Sequence, residues 1–196
     1  MTDNKIILLL ASGSPYRREL LERLGVPFDT WAPDVDERPQ AGEAPRATAA
    51  RLARAKAEAG AARFPQAWII GSDQVADVAG RAVGKPGTLE NARRQLAELS
   101  GRTVLFHTAL CVAHGTLGRR HERVVTTDVA FRKLAANEIE RYLAREPALD
   151  CAGSAKSEAL GIALLERVTS DDPTALVGLP LVALAAILRA EGYAIP

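Results

Sequence analysis

Two patterns of apolar residues alternate along most of the chain. Continuous runs at positions 6–10 and 67–70 contain no polar side chain, which is typical of strands covered on both faces. Helical spacing follows the first run, where Leu20, Leu21 and Leu24 fall on one side of a helix. The alternation of strands and helices predicts an α/β protein.

The middle of the chain predicts two more helices and a hairpin. Residues 27–45 hold four prolines and several acidic residues, which indicates an irregular loop. The alanine-rich stretch 47–62 favours a helix, and a hairpin turns at Gly80. Thr88 is placed to cap a helix that carries leucines at helical spacing and stops at Gly101.

The second half predicts a long antiparallel pair. Apolar residues alternate with period two over 103–113 and 124–131, with a glycine-bounded turn at 115–118 between them. The remaining elements are a helix begun by a capping box of Asn137 and Glu140, a strand at 162–168 and a C-terminal helix at 180–191. The expected fold is therefore α/β, with a mixed sheet and flanking helices.

Composition and charge argue against several classes of function. The 196 residues contain 47% hydrophobic residues and carry a net charge of +1, which fits one domain and argues against a nucleic-acid partner. No apolar run reaches the ~20 residues of a membrane span, and nothing resembles a secretory signal. The only two cysteines, Cys111 and Cys151, form no CxxC motif, so we expect a cytoplasmic protein with reduced thiols.

Three apparent motifs carry no chemistry. Residues 80–86 resemble a phosphate-binding Walker A loop, but the loop is one residue short and ends in proline where a hydroxyl is needed for magnesium. His107, His114 and His121 are seven positions apart, so strand periodicity turns neighbours to opposite faces and argues against a shared metal. Cys151 is expected to be a small buried apolar residue.

The segment 12–18 is a candidate anion site. Ser12, Gly13 and Ser14 form a small-residue turn, in which Ser14 is placed to cap a helix and Pro15 suits its first position. A helix N-terminus offers backbone N–H groups to an anion, and Arg17 adds a guanidinium suited to phosphate. The same residues would also make an ordinary capped helix, and the segment alone leaves both interpretations open.

Asp73 is a second candidate. It follows the run 67–70, which would place it at the C-terminal end of a strand, where α/β proteins collect catalytic groups. A carboxylate there can bind magnesium or accept a proton from water, although a turn-forming aspartate has the same pattern. Glu37, Lys56 and Lys85 are weaker candidates, because each of them, taken alone, is more often a solvated surface charge.

The order of several short motifs changes this balance. They are Ser12-x-Ser14-x-x-Arg17, Asp36-Glu37, Arg54-x-Lys56, Gly71-Ser72-Asp73-Gln74, Gly84-Lys85-Pro86, Gly153-Ser154-x-Lys156-Ser157-Glu158 and the stretch 172–181. In this order, and over nearly the whole chain, the sequence resembles the Maf family of nucleoside triphosphate pyrophosphatases.

The resemblance implies a fold and a chemistry. It implies a single domain over residues 1–196, a Maf/ITPase-like elongated α/β structure with two lobes around a nucleotide cleft, and a possible homodimer. It also implies hydrolysis of the α–β phosphate bond of a nucleoside triphosphate with a divalent cation, Mg²⁺ or Mn²⁺. The matching residues are Asp73 as proton acceptor, Glu37 and Asp73 at the metal, and Ser12, Ser14, Arg17, Lys56 and Lys85 at the phosphates.

The branch of the family is indicated by the residues at its specificity positions, Tyr16, Gln74 and Glu158. They look like the branch that acts on 7-methyl-GTP, since the branch acting on dTTP and UTP has threonine and glutamine in place of Gln74 and Glu158. A ring made cationic by N7 methylation favours an aromatic face and a carboxylate. Ala155 and Ala159 depart from the pattern of the 7-methyl-GTP branch. This departure affects the expected shape of the base pocket but not its polarity.

Two alternatives remain open at the level of sequence. One is a pyrophosphatase of the same family that acts on dTTP, UTP or another modified nucleotide. The other is a nucleotide-binding regulator, linked to septum formation as the family's name suggests, in which hydrolysis is incidental.

Overall fold

The computed structural model describes residues 7–196 and has one mixed sheet with α-helices on both of its faces. The strands are β1 (Ile7–Leu10), β2 (Asp29–Thr30), β3 (Ala67–Val78), β4 (Arg81–Val83), β5 (Thr103–His114), β6 (Arg119–Phe131) and β7 (Leu165–Thr169). The helices are α1 (Pro15–Glu22), α2 (Pro45–Arg63), α3 (Leu89–Leu99), α4 (Ala136–Arg145) and α5 (Leu181–Ala190). The predicted α/β class with a mixed sheet is confirmed, Ile6 of the first predicted strand lies outside the described residues, and the division into two lobes stays a prediction.

The long strand β3 organises the sheet, whose order is β2-β1-β3-β5-β6-β7. Its first part pairs in parallel with β1, from Ala67 to Ile70, while its whole other edge pairs antiparallel with β5. Its last part, from Ala76 to Val78, pairs with β4 through the hairpin predicted at Gly80. The stretch 71–75 therefore lies in a gap of the sheet, beyond the end of β1 and before the start of β4.

Three apolar clusters cover this framework. Leu20 and Leu21 of α1 and Leu184 of α5 pack on one face of β1, β3 and β5, around Trp68 and Ile70. The alanines of α2 cover the other face of the same strands. A third cluster joins α3 and α4 to the far part of β3 and to β6. Residues alternate along β3, so Ile70, Ser72 and Gln74 belong to the α1 and α5 face and Gly71 and Asp73 to the α2 face.

One predicted boundary is wrong at the candidate site. The run 67–70 does not end a strand, because β3 continues to Val78, and Asp73 pairs with Ala109 of β5 in mid-strand. Gly71 and Ser72 are turn-forming by local preference, but the ladder with β5 satisfies their backbone groups and keeps them extended. Asp73 does lie just beyond the C-terminal end of the neighbouring strand, β1, which stops at Leu10.

Two other boundaries differ from the prediction. The N-cap of α4 is Ala135, two positions before the predicted cap Asn137, and Glu138 accepts from the backbone N–H of Ala135 at 2.9 Å in place of a box of Asn137 and Glu140. The stretch 162–168 is divided between a 3₁₀ turn and β7, because only its second half pairs with β6. The caps predicted at Ser14 and Thr88 are confirmed. Within residues 7–196, no helix has the length and apolar character needed to cross a lipid bilayer.

Candidate functional site

A cavity of about 720 Å³ opens at the gap of the sheet beside β3. Every site residue predicted from the sequence lines it: Ser12, Ser14, Tyr16, Arg17, Glu37, Lys56, Asp73, Gln74, Lys85 and Glu158. Because β1 ends at Leu10, side chains from both faces of β3 can reach the same space. Residues up to 146 positions apart along the sequence are thus brought together, and their roles stay predictions.

The turn after β1 forms one wall. Ser14 caps α1 by accepting from the backbone N–H of Arg17 at 3.4 Å, and Pro15 occupies the first helical position. Ser12 Oγ accepts from the N–H of Ser14 at 3.1 Å and from Arg17 Nη1 at 3.3 Å. Arg17 Nε donates to the carbonyl of Gly178 at 2.9 Å. The guanidinium is therefore fixed at the start of the helix, where the helix dipole also favours an anion.

A buried lysine joins the two predicted metal ligands. Lys56 Nζ lies 2.7 Å from Asp73 Oδ1 and 2.6 Å from Glu37 Oε1. Lys56 and Asp73 are almost fully buried, while the side chain of Glu37 is 59% exposed at the mouth. The loop predicted over 27–45 is irregular around Glu37, but its residues 29 and 30 form the strand β2, which was not predicted. The ion pair with Lys56 closes this loop over α2.

Close packing of α2 on β3 brings Lys56 to Asp73. A Cβ at Gly71 would lie 2.2 Å from the carbonyl oxygen of Ala53, so only glycine allows this approach of helix and strand. Gly60, one turn beyond Lys56, also lets the helix approach the strand closely, because a Cβ there would lie 2.5 Å from Ile69 Cγ2. Gly71 directly precedes the Ser72-Asp73 pair, so the packing requirement and the carboxylate share one motif.

The charges of the site act on one another. Burial would raise the pKa of Glu37, but the hydrogen bond and charge of Lys56, together with Lys85 and Arg17, leave that pKa below its ordinary value. Burial lowers the pKa of Arg17, and the charges of Asp73 and Glu37 oppose this effect. Glu37 is therefore ionised at neutral pH, and the carboxylates of Asp73 and Glu37 favour the charged form of Arg17. Lys85, on the exposed loop after β4, adds a third cation to the cavity.

The carboxylates fit a divalent cation that is completed by a substrate. Oxygens of Glu37 and Asp73 already converge on one cationic group, the ammonium of Lys56. Mg²⁺ is usually held by one or two carboxylates and by phosphate oxygens and water. Among residues 7–196 no group of three histidine, cysteine or acidic side chains could hold a metal ion. Glu37 and Asp73 are the residues that could share such an ion with phosphate oxygens.

The stretch 150–158 forms a second wall of the cavity, and we call it the 150–158 wall. It contributes Asp150, Cys151, Ala155 and Glu158 to the lining. Tyr16 reaches it from α1, since its hydroxyl donates to Asp150 Oδ2 at 2.9 Å. Cys151 is half-buried rather than fully buried, and burial, with the charge of Asp150, raises the pKa of its thiol to about 12. The thiol is thus inert, as expected for a packing residue.

Gln74 is tied to the loop before α5. Its amide nitrogen donates to the carbonyls of Ala175 and Leu176, at 3.0 and 2.9 Å, and to Thr108 Oγ1 at 2.9 Å. Two carbonyl partners fix the orientation of the amide, so its oxygen points away from this loop. The predicted specificity residue therefore also holds one side of the cavity in place.

Two supporting residues were missed by sequence reasoning. Ser72 Oγ contacts the carbonyl of Gly178 at 2.9 Å, the same carbonyl that accepts from Arg17. Asp172 is buried and caps α5, where its Oδ2 accepts from the N–H groups of Val182 and Ala183 at 2.8 and 3.3 Å. Its position in the matched stretch 172–181 was a signal, but its partner ten residues onward is visible only in the fold.

The three histidines lie outside the cavity. The predicted opposite faces hold for His107 and His114, which alternate along β5, but not for His114 and His121, which both pack against Trp68 because the turn between β5 and β6 brings them to one face. His107 contacts Asp77 and Thr126, at 3.2 and 3.0 Å, on the central strands. His121 contacts Glu191 at 2.6 Å beside the end of α5. None of the three histidines lines the cavity.

Fold and cavity together define the class, which is a mixed α/β protein with a charged cleft at a gap in its sheet. The chain belongs to the Maf family, because the model of the Maf-like proteins matches residues 7–191. This confirms the family that the ordered motifs predict.

Curated relatives match over almost the full length. A 7-methyl-GTP pyrophosphatase of Xanthomonas campestris pv. campestris (strain 8004) is 58% identical over 189 residues, which cover 96% of this chain and 98% of the relative. A 7-methyl-GTP pyrophosphatase of Cupriavidus metallidurans is 54% identical over 192 residues, with 98% and 96% covered. A third protein of that name, from Aromatoleum aromaticum, is 56% identical over 189 residues.

Proposed function

We propose that this protein is a nucleoside triphosphate pyrophosphatase that converts 7-methyl-GTP to 7-methyl-GMP and pyrophosphate. The observation that carries the proposal is the buried Asp73 carboxylate, held by Lys56 in a cavity that also contains Arg17 and Lys85. The names of relatives 54–58% identical over nearly the whole chain support the substrate. The predicted cytoplasmic location and homodimer are further proposals, and neither is needed for the chemistry.

Arg17, Lys56 and Lys85 bind the triphosphate, assisted by the N–H groups at the start of α1. Arg17 is fixed by Ser12 and by the carbonyl of Gly178, so it binds without first losing conformational freedom. Guanidinium and ammonium groups neutralise the negative charge that would repel an attacking water molecule. Glu37 and Asp73 would hold the divalent cation, which would neutralise phosphate charge and polarise the bond to be broken.

Asp73 is the proposed general base. Its Oδ1 accepts from Lys56, which orients the carboxylate, and its second oxygen, Oδ2, can accept a proton from water. The water attacks the α-phosphorus, the bond to the bridging oxygen breaks, and pyrophosphate leaves with that oxygen. The proton taken by Asp73 is then released to solvent through the open cavity.

The 150–158 wall and Tyr16 hold the base. The aromatic ring of Tyr16 favours a cationic purine, and the carboxylate of Glu158 can accept from the guanine N1–H and amino group while it offsets the charge. Glu158 is exposed at the cavity edge, where it can meet an entering base.

Asp73→Asn tests the chemical step. We expect pyrophosphate release to fall by about 10²–10⁴-fold, the usual contribution of a general base, while nucleotide binding measured without a divalent cation is retained. Asp77→Asn is the matched control, since Asp77 lies on the same strand and face but pairs with His107 outside the cavity. Unchanged release from Asp73→Asn would refute the assignment.

Glu158→Gln tests the substrate. A panel of 7-methyl-GTP, GTP, dTTP and UTP, each with and without Mg²⁺ or Mn²⁺, is assayed by pyrophosphate release. We expect the wild type to prefer 7-methyl-GTP and Glu158→Gln to lose most of that preference. Preference of the wild type for dTTP or UTP would instead place this chain with the other branch of the family.

A further inference from the structure

Two charged side chains that the proposed chemistry does not use, Asp150 and Lys156, meet Tyr16 at the 150–158 wall. The hydroxyl of Tyr16 donates to Asp150 Oδ2 at 2.9 Å, and Lys156 Nζ lies 3.6 Å from Asp150 Oδ1. The same ammonium is 5.4 Å from the centroid of the Tyr16 ring, within the range of a cation–π contact. Asp150 is thus linked both to an aromatic ring and to a cation.

The position of Lys156 is built into the fold. Its backbone N–H donates to the hydroxyl of Tyr142 on α4 at 3.2 Å. The backbone of Lys156 lies so close to Gly161 that a Cβ on Gly161 would be 2.5 Å from the backbone nitrogen of Lys156. The side chain therefore extends from a fixed point toward Tyr16.

Asp150 and Lys156 are both charged at neutral pH. Burial would raise the pKa of Asp150, but the hydrogen bond from Tyr16 and the charge of Lys156 leave it below its ordinary value. The Tyr16 side chain raises the pKa of Lys156, and Asp150 adds to this effect against the opposing effect of burial. Asp150 and Glu158 both line the cavity, and Asp150 is the carboxylate that Lys156 approaches.

We propose that Asp150 and Lys156 are further specificity-determining residues, in which Asp150 supplies negative charge that favours a cationic base and Lys156 attenuates it. The inference rests on the proposed function, because it requires a base at the 150–158 wall. Asp150 lines the cavity and orients the ring of Tyr16, so its charge lies beside the place where that base would stack. A neutral purine does not respond to this charge to the same extent.

The opposite signs of the two charges provide the test. Asp150→Asn removes the negative charge but keeps an oxygen that can accept from Tyr16, and Lys156→Met removes the positive charge but keeps an apolar stem. We expect Asp150→Asn to lower, and Lys156→Met to raise, the ratio of kcat/KM for 7-methyl-GTP to that for GTP. Each change should be about fivefold, as for two unit charges ~4 Å apart in a water-like dielectric. Water is the relevant medium because the Asp150 side chain is 55% exposed.

Tyr16→Phe separates charge from positioning. This variant keeps both charges and the ring but loses the hydroxyl that holds the ring to Asp150. We expect KM to rise for 7-methyl-GTP and GTP by a similar factor, with their ratio unchanged. Ratios that stay constant in Asp150→Asn and Lys156→Met, or that move in the same direction, would overturn the proposal.

Binding distinguishes this inference from the proposed function. The dissociation constants of 7-methyl-GMP and GMP are measured by calorimetry for the wild type and both charge variants, without catalysis. Absence of pyrophosphate release by the wild type would refute the proposed function, while opposite shifts in the two binding ratios would still support the inference. Release by the wild type with unmoved binding ratios, or no binding of either monophosphate, would refute the inference.

Discussion

Replacement of Lys56 by methionine tests how strongly the cavity depends on its buried ion pair. The ammonium lies 2.7 Å from Asp73 and 2.6 Å from Glu37, so the substitution removes the partner of both carboxylates. Methionine keeps most of the apolar stem of lysine, so the packing of α2 on β3 changes little.

The magnitude follows from the burial of each partner. Lys56 and Asp73 have side chains 8% and 12% exposed, and loss of one member of such a buried pair costs about 3–5 kcal/mol. Glu37 is 59% exposed, so its pair adds no more than about 1 kcal/mol. Since Asp73 borders an open cavity, water can partly compensate for the loss. We therefore expect about 3 kcal/mol in the free energy of unfolding, or a Tm lower by about 6–12 °C for a chain of this size.

A double-mutant cycle in urea unfolding measures this value. If the cost comes from an unpaired Asp73 carboxylate, then Asp73→Asn in the Lys56→Met background should restore most of the lost stability. Arg18→Met is the control, because Arg18 pairs with Glu22 at the surface and should change stability by less than about 0.5 kcal/mol. A cost below about 1 kcal/mol, or no recovery in the double variant, would refute the reasoning.

Three further predictions concern stability. Gly71→Ala should cost about 3 kcal/mol or more in urea unfolding, because its Cβ would lie 2.2 Å from the Ala53 carbonyl, whereas Gly84→Ala, with open space around it, should cost almost nothing. Asp172→Ala should cost about 2–3 kcal/mol, since a buried cap of α5 is lost, and a Tm within about 2 °C of wild type would contradict that role. Arg51 lowers the pKa of Glu43 to about 2 in the folded protein, so stability from this pair is complete above an unfolded pKa of about 4.3 and is lost as pH falls toward about 2. Glu43→Gln should flatten the fall in unfolding free energy over that range, and parallel curves for both proteins would contradict the assignment.

Sequence predicted the elements better than their limits. Periodicity and caps locate α1, α3 and the β5–β6 pair because these signals are local. The Gly71-Ser72 dipeptide favours a turn locally. The strand β3 stays extended through it because ten residue pairs join β3 to β5, and no local signal shows this pairing. The capping box predicted at Asn137 and Glu140 does not form, because α4 begins before Asn137, and Ile139, Tyr142 and Leu143 of this helix are buried in the core.

The candidate site could be predicted as a set but not as an arrangement. Ordered motifs identify ten residues that the fold brings to one cavity. No local signal shows that Lys56 lies between Glu37 and Asp73, since that contact depends on the close approach of helix and strand at Gly71. Likewise, the link between Tyr16 and Asp150 joins positions 134 apart in the sequence.

The alternation of side chains along β3 makes the chemistry depend on whether a position is odd or even. Asp73 meets Lys56 on the α2 face, while its neighbours Ser72 and Gln74 hold the loop before α5 on the other face. Insertion of one residue between Ile70 and Ser72 would exchange these roles. The carboxylate would then lie on the α1 and α5 face of the sheet, and a serine would meet the lysine. Insertion of two residues would keep each side chain on its own face, and so would harm the site less than the smaller change.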